Sequence, residues 1–481
     1  MVEFNISTVL MPEVIIAAVA MIVLAIGLLV PRGASKGIMP LTTFSLIGVF
    51  GYTLYDFFYG VKAVFLEGMY MHDQFAVYFK LLFLVAALLV VLSSREYVDK
   101  FGEHCYKFYA LLLTATLGMM LMAGAGELIT MYIGLELMTI SFYILVAYLG
   151  NDARSSEAGI KYLVLGGTSS AILLYGISLI YGLTGSTELA QIAGSLGANL
   201  TPASFLATVF ILAGIGFKIS LVPFHLWAPD IYEGAPTPVT AFLAVASKAA
   251  AFAVLIRVYL LTMNTQAFSL TGQTLLIVLA CLTMILGNLI AIPQTNIKRL
   301  LAYSSIAQAG YLMVGIIAQS VAGVKGVLFY AMIYVFANMG AFTVATHIAN
   351  KQGSDEIKDF AGLWRRSPLA AVVMTASLLS LAGIPPLAGF VGKFYLFSAV
   401  MDQGYTAIAY IGFVMSMASV YYYLSVVKVM FLNDGEGLPD VPVHGAVKAT
   451  LLFTMLITLA IGIYPTPLAQ MALAAAQSLI K

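Results

Sequence analysis

A chain of 481 residues with 61% hydrophobic and 9% charged side chains, and a mean hydropathy of +0.98, cannot be a soluble globular domain, whose charged fraction is about 25%. A net charge of +1 offers no basic face for nucleic acid and no acidic tail for a basic partner. Cys105 and Cys281 are far apart and match no metal-ligand spacing. Neither a disulfide framework nor a zinc or iron–sulfur site is expected from them. No glycine-rich phosphate loop follows a predicted strand, so no nucleotide or other cofactor site is expected in this chain.

In chain order, a window of about 20 apolar residues, the length that spans a bilayer as a helix, finds roughly fourteen spans. They fall near 9–30, 38–58, 75–93, 107–124, 127–149, 158–183, 204–224, 237–262, 271–292, 299–318, 323–349, 369–398, 404–430 and 447–470. The first run has Glu3 and Glu13 near its start, no basic n-region, and more length than a signal-peptide core. It reads as a retained helix. One set of alternate loops holds Arg32, Lys36, Arg95, Lys100, Arg154, Lys298, Arg299, Lys351, Lys358, Arg365 and Arg366. The other holds little beyond Lys62, Lys325 and Lys481. By the positive-inside rule the first set is cytoplasmic. With an even number of spans, both termini then lie on the non-cytoplasmic side.

Two spans are interrupted. Pro223 removes a backbone donor within the seventh, and Pro385 and Pro386 lie in the middle of the twelfth. Hydrocarbon tolerates such breaks only where protein or water pairs the freed groups. The broken spans are five apart, and each carries a lysine near its break. Interrupted spans at corresponding positions predict two repeats with an ion path at the breaks. An odd number of spans per repeat puts the two copies in opposite orientations. The expected fold is therefore an all-α polytopic membrane protein of about fourteen transmembrane helices, with two inverted five-helix repeats and two discontinuous helices. Its expected parts are helices 1–3 over residues 1–106, a first repeat over 107–262, a second over 263–430, and a last helix within 431–481.

Ionised groups at the centre of a membrane helix cost roughly 2.5–3.5 kcal/mol on insertion scales. Lys218, Lys248 and Lys393 accept that cost on three spans, and Glu136 on a fourth. Lys218 is followed seven residues later by His225, which would share its face if the helix ran on. The competing reading of Lys218 is a side chain that snorkels to the headgroups, and that of Glu136 is a protonated structural acid. The depth of the lysines and their need for a counter-charge favour a proton or ion path. Glu157 and Lys161 have the i,i+4 spacing of a helical ion pair; a plain surface pair fits them as well as a place in the path. Lys298 and Arg299 are adequately explained as cytoplasmic anchors. Lys80, Arg257 and His347 read as anchors or satisfied polar residues near span ends.

Three segments carry a family resemblance. Phe217-Lys-Ile-Ser-Leu-Val-Pro-Phe-His-Leu-Trp-Ala-Pro-Asp-Ile-Tyr-Glu-Gly-Ala-Pro-Thr-Pro-Val239, Asn296-Ile-Lys-Arg-Leu-Leu-Ala-Tyr-Ser-Ser305 and Ala382-Gly-Ile-Pro-Pro-Leu-Ala-Gly-Phe-Val-Gly-Lys-Phe394 resemble the signature stretches of the antiporter-like subunits of respiratory complex I. Glu157-Ala-Gly-Ile-Lys-Tyr162 and the chain length look most like the N type. The resemblance implies that Glu136 and Lys218 form a charge pair, Lys248 a central relay and Lys393 an exit residue. His225 would sit at the broken helix. It also implies a translocase subunit of a bacterial inner membrane, set in the lipid bilayer among the other membrane and peripheral subunits of NADH:quinone oxidoreductase. FMN, iron–sulfur clusters and quinone would belong to those partners. The alternatives are a subunit of a multisubunit monovalent cation/proton antiporter and a structural membrane subunit that pumps nothing.

Overall fold

The computed structural model describes residues 9–29, 35–196, 201–263 and 266–480. Arg32 and Lys481, both used above to read orientation, lie outside the described residues. Over the described residues the chain is an all-α polytopic membrane protein. Its main helices are α1 (Met11–Leu29), α2 (Ser35–Tyr59), α3 (Gln74–Ser93), α4 (Cys105–Gly124), α5 (Leu128–Val146), α6 (Ala153–Thr184), α7 (Pro202–Ile219) and α8 (Trp227–Gly234). There follow α9 (Thr237–Thr262), α10 (Gln266–Ala291), α11 (Ile297–Ile317), α12 (Val321–Gln352), α13 (Pro368–Ala382), α14 (Ala388–Asp402), α15 (Thr406–Leu432), α16 (Gly445–Ile463) and α17 (Thr466–Leu479). A hairpin of β1 (Ala63–Phe65) and β2 (Tyr70–His72) is the one sheet among the described residues.

Among the described residues, thirteen helices are long and apolar enough to cross a membrane. The twelfth expected span, 369–398, is instead the pair α13 and α14. Each has 15 residues and rises only about 22 Å, short of the roughly 30 Å hydrocarbon core. Every residue in the apolar stretches of α9 and α12 is buried, while a third or less of the residues in those of α1, α2 and α16 are buried. The bundle therefore has its centre at α9 and α12. Side chains start several helices: Asp73 accepts from Ala76 N, Ser320 from Gly323 N, and Asn296 from Lys298 N and Arg299 N. These contacts satisfy backbone donors that a helix leaves free at its first turn.

Small residues set the closest approaches, as membrane helices require where lipid removes the hydrophobic drive between them. A Cβ on Gly134 of α5 would lie 2.9 Å from the carbonyl oxygen of Gly118 on α4, and one on Gly118 2.6 Å from that of Gly134. That contact fixes α5 two residues before Glu136.

Both breaks have the same backbone design. α7 ends on Ser220 in the left-handed region (φ 64°), and Leu221 N–H donates to Gly216 O at 2.8 Å. α13 ends on Gly383 (φ 86°), and Ile384 N–H donates to Leu379 O at 3.1 Å. Each is a helix stop with an i→i−5 bond. The two stops face opposite ways. α8, just past the first stop, meets the N-termini of α6 and α11 through Asp230. The segment just before α13 pairs with that same end of α11, through Ile297 N–H to Asp355 O and Ile357 N–H to Thr295 O.

Candidate functional site

Lys248 lies on α9 immediately after a π-helical turn, Leu243–Ser247, a distortion that often marks functional positions in helices. Its Nζ donates to Ser305 Oγ of α11 at 2.6 Å and lies 5.7 Å from the Tyr232 ring of α8. Gln308 is three residues beyond Ser305, hence on the same face of α11. The Gln308 amide donates to Leu381 O at 3.0 Å, and its carbonyl accepts from Tyr330 OH. Leu381 is in the last turn of α13, where carbonyls have no intrahelical partner.

Lys393 of α14 fills the second break. Its Nζ donates to Leu381 O (2.8 Å), Ala382 O (3.1 Å) and Ser416 Oγ of α15 (2.8 Å). The Tyr311 ring lies 4.5 Å from it, within cation–π range. Leu381 O thus receives Gln308 from one side and Lys393 from the other. The polar line runs Lys248, Ser305, Gln308, Leu381 O, Lys393 and Ser416. From Lys393 a cavity of about 670 Å³ extends between α14 and α15 to Asp402, the last residue of α14.

Lys218 sits in the last turn of α7, 3% exposed. Its Nζ makes no hydrogen bond to protein and lies 5.5–5.9 Å from the rings of Phe217, Tyr143 and Tyr162. Glu136 faces the same region from α5, and its Oε1 is likewise buried without a protein hydrogen bond. Both groups therefore border Tyr143 without bonding each other. Thr139, Tyr143, Ser170, Ser220 and His225 add further buried polar atoms that pair with no protein group. A cleft of about 1100 Å³ connects Glu136 and Tyr143 with Lys100, His104 and Asp152 at the basic end of the bundle.

His225 is 7% exposed. The expected line from Lys218 to His225 along one helix face does not form, because α7 stops at Ile219 and α8 begins only at Trp227. Other contacts span that break. Trp227 Nε1–H donates to Phe217 O at 2.8 Å, and its indole stacks between the rings of Tyr162 and Phe217. Val222 N–H donates to Thr283 Oγ1 of α10 at 3.0 Å.

Glu157 and Lys161 do pair (2.8 Å), but in a half-exposed network at the rim. Lys161 also meets Asp230 (3.0 Å), and Arg299 meets Asp230 and Glu233, each at 2.9 Å. Burial pushes the Asp230 carboxyl up, yet hydrogen bonds from Lys161 and Arg299 outweigh it and hold the group below its ordinary value. Lys298 is buried, paired with Asp355 (3.0 Å) and donating to Ala235 O (3.1 Å). It ties α11 to the segment between α8 and α9.

Several members of the line carry little signal in the sequence. Ser305, Gln308 and Ser416 are polar residues on apolar spans, and the spacing of Ser305 and Gln308 was the available signal. Lys80 and Arg257, expected as anchors or satisfied polar residues near span ends, are satisfied by carboxylates. Lys80 is fully buried and pairs with Glu13 of α1 at 2.7 Å, while Tyr70 OH donates to the same carboxylate oxygen at 2.6 Å. Arg257, also fully buried, forks onto Asp73 at 2.9 and 3.0 Å.

Comparison with known proteins agrees with this architecture. The profile of the family described as "NADH:quinone oxidoreductase/Mrp antiporter, TM" matches residues 125–419. The chain is 65% identical to NADH-quinone oxidoreductase subunit N of Desulfitobacterium hafniense, with all of both chains covered. A chain of respiratory complex I from Thermus thermophilus superposes with a TM-score of 0.83 at 34% identity, over 96% of this chain and 99% of that one. A chain of the Mrp complex from a Dietzia species gives a TM-score of 0.87 at 22% identity, over 99% of this chain and 98% of that one, a likeness of fold alone. With its family profile matched across both breaks and both ends of the polar line, this chain belongs to the NADH:quinone oxidoreductase/Mrp antiporter family of membrane subunits.

Proposed function

We propose that this chain is a membrane subunit of a proton-translocating NADH:quinone oxidoreductase, and that the series Glu136, Lys218, Lys248 and Lys393 moves the protons. The observation that carries the reading is the run of buried groups from Lys248 through Ser305, Gln308 and Leu381 O to Lys393. A buried ammonium is expensive unless its proton is shared or its charge paired. Here each lysine has acceptors or aromatic faces, and Lys218 has a carboxylate near but not bonded.

Closing the Glu136–Lys218 pair holds the proton on Lys218. Opening it leaves a desolvated ammonium, which is relieved by passing its proton toward Lys248, with His225 beside that step. Lys393 first releases its own proton through the cavity that reaches Asp402, and the neutral amine then receives the Lys248 proton by way of the Ser305 hydroxyl and water beside Gln308, because Leu381 O only accepts. Each transfer returns the donor to a neutral amine, so charge balances at every step. Uptake begins at the basic end, taken as cytoplasmic by the positive-inside rule, with both termini on the opposite side. The common design of the two breaks supports reading 107–262 and 263–430 as repeats of opposite orientation. Electron transfer, with FMN, iron–sulfur clusters and quinone, belongs to the partner subunits.

Replacing Lys218 by Ala is expected to abolish most NADH-driven proton uptake into inverted membrane vesicles while the complex still assembles. Lys218→Arg should fail as well, because arginine keeps its proton. Normal uptake per NADH oxidised in an assembled Lys218→Ala complex would overturn the relay. Extraction in mild detergent separates the assignment from an antiporter: flavin and iron–sulfur proteins should co-purify with the chain, and finding only transporter subunits would exclude it.

A further inference from the structure

Ser305, Gln308 and Tyr311 are spaced three apart, a row of neighbours on α11 that leads from Lys248 to Lys393. The first two belong to the polar line, whereas Tyr311 offers Lys393 its ring, 4.5 Å from Nζ. The hydroxyl buried with that ring needs a partner of its own. Asn288 of α10 supplies it. Its Nδ2 donates to Tyr311 OH at 3.0 Å and to Met284 O at 2.7 Å, and its Oδ1 accepts from Tyr422 OH of α15 at 3.1 Å. Asn288, Tyr311 and Tyr422 are all fully buried. Met284 O can only accept, so it fixes which end of the amide is Nδ2. The ordinary use of a buried asparagine on an apolar span is adhesion between helices. The contact of α10 with α11 does not need it. A Cβ on Gly287 would lie 2.6 Å from Ala307 N, and one on Gly310 2.9 Å from Met284 N, so the backbones already meet through glycines of both helices. What Asn288 adds is a fixed setting for the Tyr311 ring.

We propose that Asn288 is a positioning residue for proton release: by anchoring the Tyr311 hydroxyl it keeps the ring face on Lys393 and so sets how readily that lysine gives up its proton. This rests on Lys393 belonging to the relay. A ring face attracts an ammonium and not a neutral amine, so a ring held in place retains the proton and a ring set free lets it go. The other titratable groups around Lys393 are Tyr330 of α12, packed on Gly392, and Tyr410 and Asp402 along the cavity. α13 carries none, and the only one on α16, Lys448, lies in its first turn, away from Gly462, which packs on Pro386 at the break.

Inverted vesicles holding the intact complex supply the test, because their lumen is the side to which Lys393 would release. Proton uptake per NADH oxidised would be followed as the lumenal pH is stepped down. In the native complex uptake should fail once the lumen is acid enough to keep Lys393 protonated. Asn288→Leu keeps the branched shape and removes the anchor, and Tyr311→Phe keeps the ring and removes the same bond. Both should move the failure to lower lumenal pH by about one unit, the roughly tenfold change that a desolvated cation–π contact commands. Tyr422→Phe takes a bond from the same amide but leaves Tyr311 anchored, and its profile should stay at the native pH. An equal shift in all three variants would mark general loosening and overturn the proposal. So would native profiles in assembled Asn288→Leu and Tyr311→Phe complexes while Lys393→Met fails to pump, a result that leaves the relay standing. Full pumping by Lys393→Met would remove the relay itself, and the proposal with it. Tyr311→Phe deletes only a hydroxyl, so it carries the test if Asn288→Leu assembles poorly.

Discussion

Lys393 has two possible uses, and they can be separated. It caps the freed carbonyls of α13, and in the proposed relay it carries a proton. Lys393→Met removes three hydrogen bonds made by a charged donor, each worth about 1.5–3 kcal/mol. Yet the acceptors are not orphaned. Leu381 O keeps the Gln308 amide at 3.0 Å, and Ala382 O keeps Ser416 Oγ at 2.9 Å. The variant also spares the desolvation of a buried ammonium, a penalty of several kcal/mol. These terms oppose each other, so the net stability change should stay within about 2 kcal/mol, and the complex should assemble. Proton movement should behave differently, since losing a proton carrier slows its transfer step by roughly 10²-fold or more. Inverted vesicles report both quantities, through NADH oxidation and quenching of a pH-sensitive dye, with a native gel to confirm assembly. Full proton uptake per NADH in an assembled Lys393→Met complex would reduce the lysine to a helix cap and break the line at its outer half.

The Glu13–Lys80 pair makes a stability prediction. Glu13→Gln leaves the Lys80 ammonium buried without its counter-charge, a loss of about 3–5 kcal/mol that should appear as lower heat resistance of the purified complex. Adding Lys80→Met should recover most of that loss; an unchanged single variant would refute the pairing. At the rim, Asp230→Asn should cost only about 1 kcal/mol or less, because the Lys161 and Asp230 side chains are 42% and 43% exposed. Proton uptake per NADH should not change, whereas a pumping defect would bring Lys161 and Glu157 into the path. The sign with pH is fixed. The folded Asp230 carboxyl lies below its free value, so its contribution is present at neutral pH and fades as pH falls through the depressed value. Acid titration of thermal stability should show that fading in the native complex and not in the Asn variant.

Length and apolarity made the spans legible, because a bilayer demands about 20 apolar residues and leaves few other solutions. The lysines were legible for the complementary reason: their burial is costly enough to stand out in an apolar chain. The two breaks could be read from Pro223, Pro385 and Pro386. What occupied the breaks could not. Ser220 takes a left-handed conformation without being glycine, so nothing in its type announced the stop that separates Lys218 from His225. Ser305, Gln308 and Ser416 are common residues whose importance comes only from what reaches them across helix contacts. Lys80, the seventh residue of α3, reads as an anchor or a satisfied polar residue near a span end, and nothing in the sequence names Glu13 as the group that satisfies it. The packing of α1 and the hairpin buries it, and that packing is invisible in one-dimensional periodicity.

The buried lysines and the backbone irregularities belong together for a physical reason. A regular membrane helix uses all its carbonyls internally and offers an ammonium nothing but hydrocarbon. Stopping α13 at Ala382 frees the carbonyls of Leu381 and Ala382, and Lys393 takes both. Stopping α7 at Ile219 places Lys218 at a helix C-terminus, where the macrodipole favours positive charge. Lys248 has no break, but it follows a π-helical turn and borrows the Ser305 hydroxyl. Neutral carbonyls, hydroxyls and rings moderate the burial of an ammonium without fixing it as a bonded carboxylate would. Lys80, held by Glu13 at 2.7 Å and fully buried, has the opposite arrangement. The chain therefore contains two kinds of buried lysine, one clasped in an ion pair and one kept beside weaker partners, and only the second suits a proton that must leave.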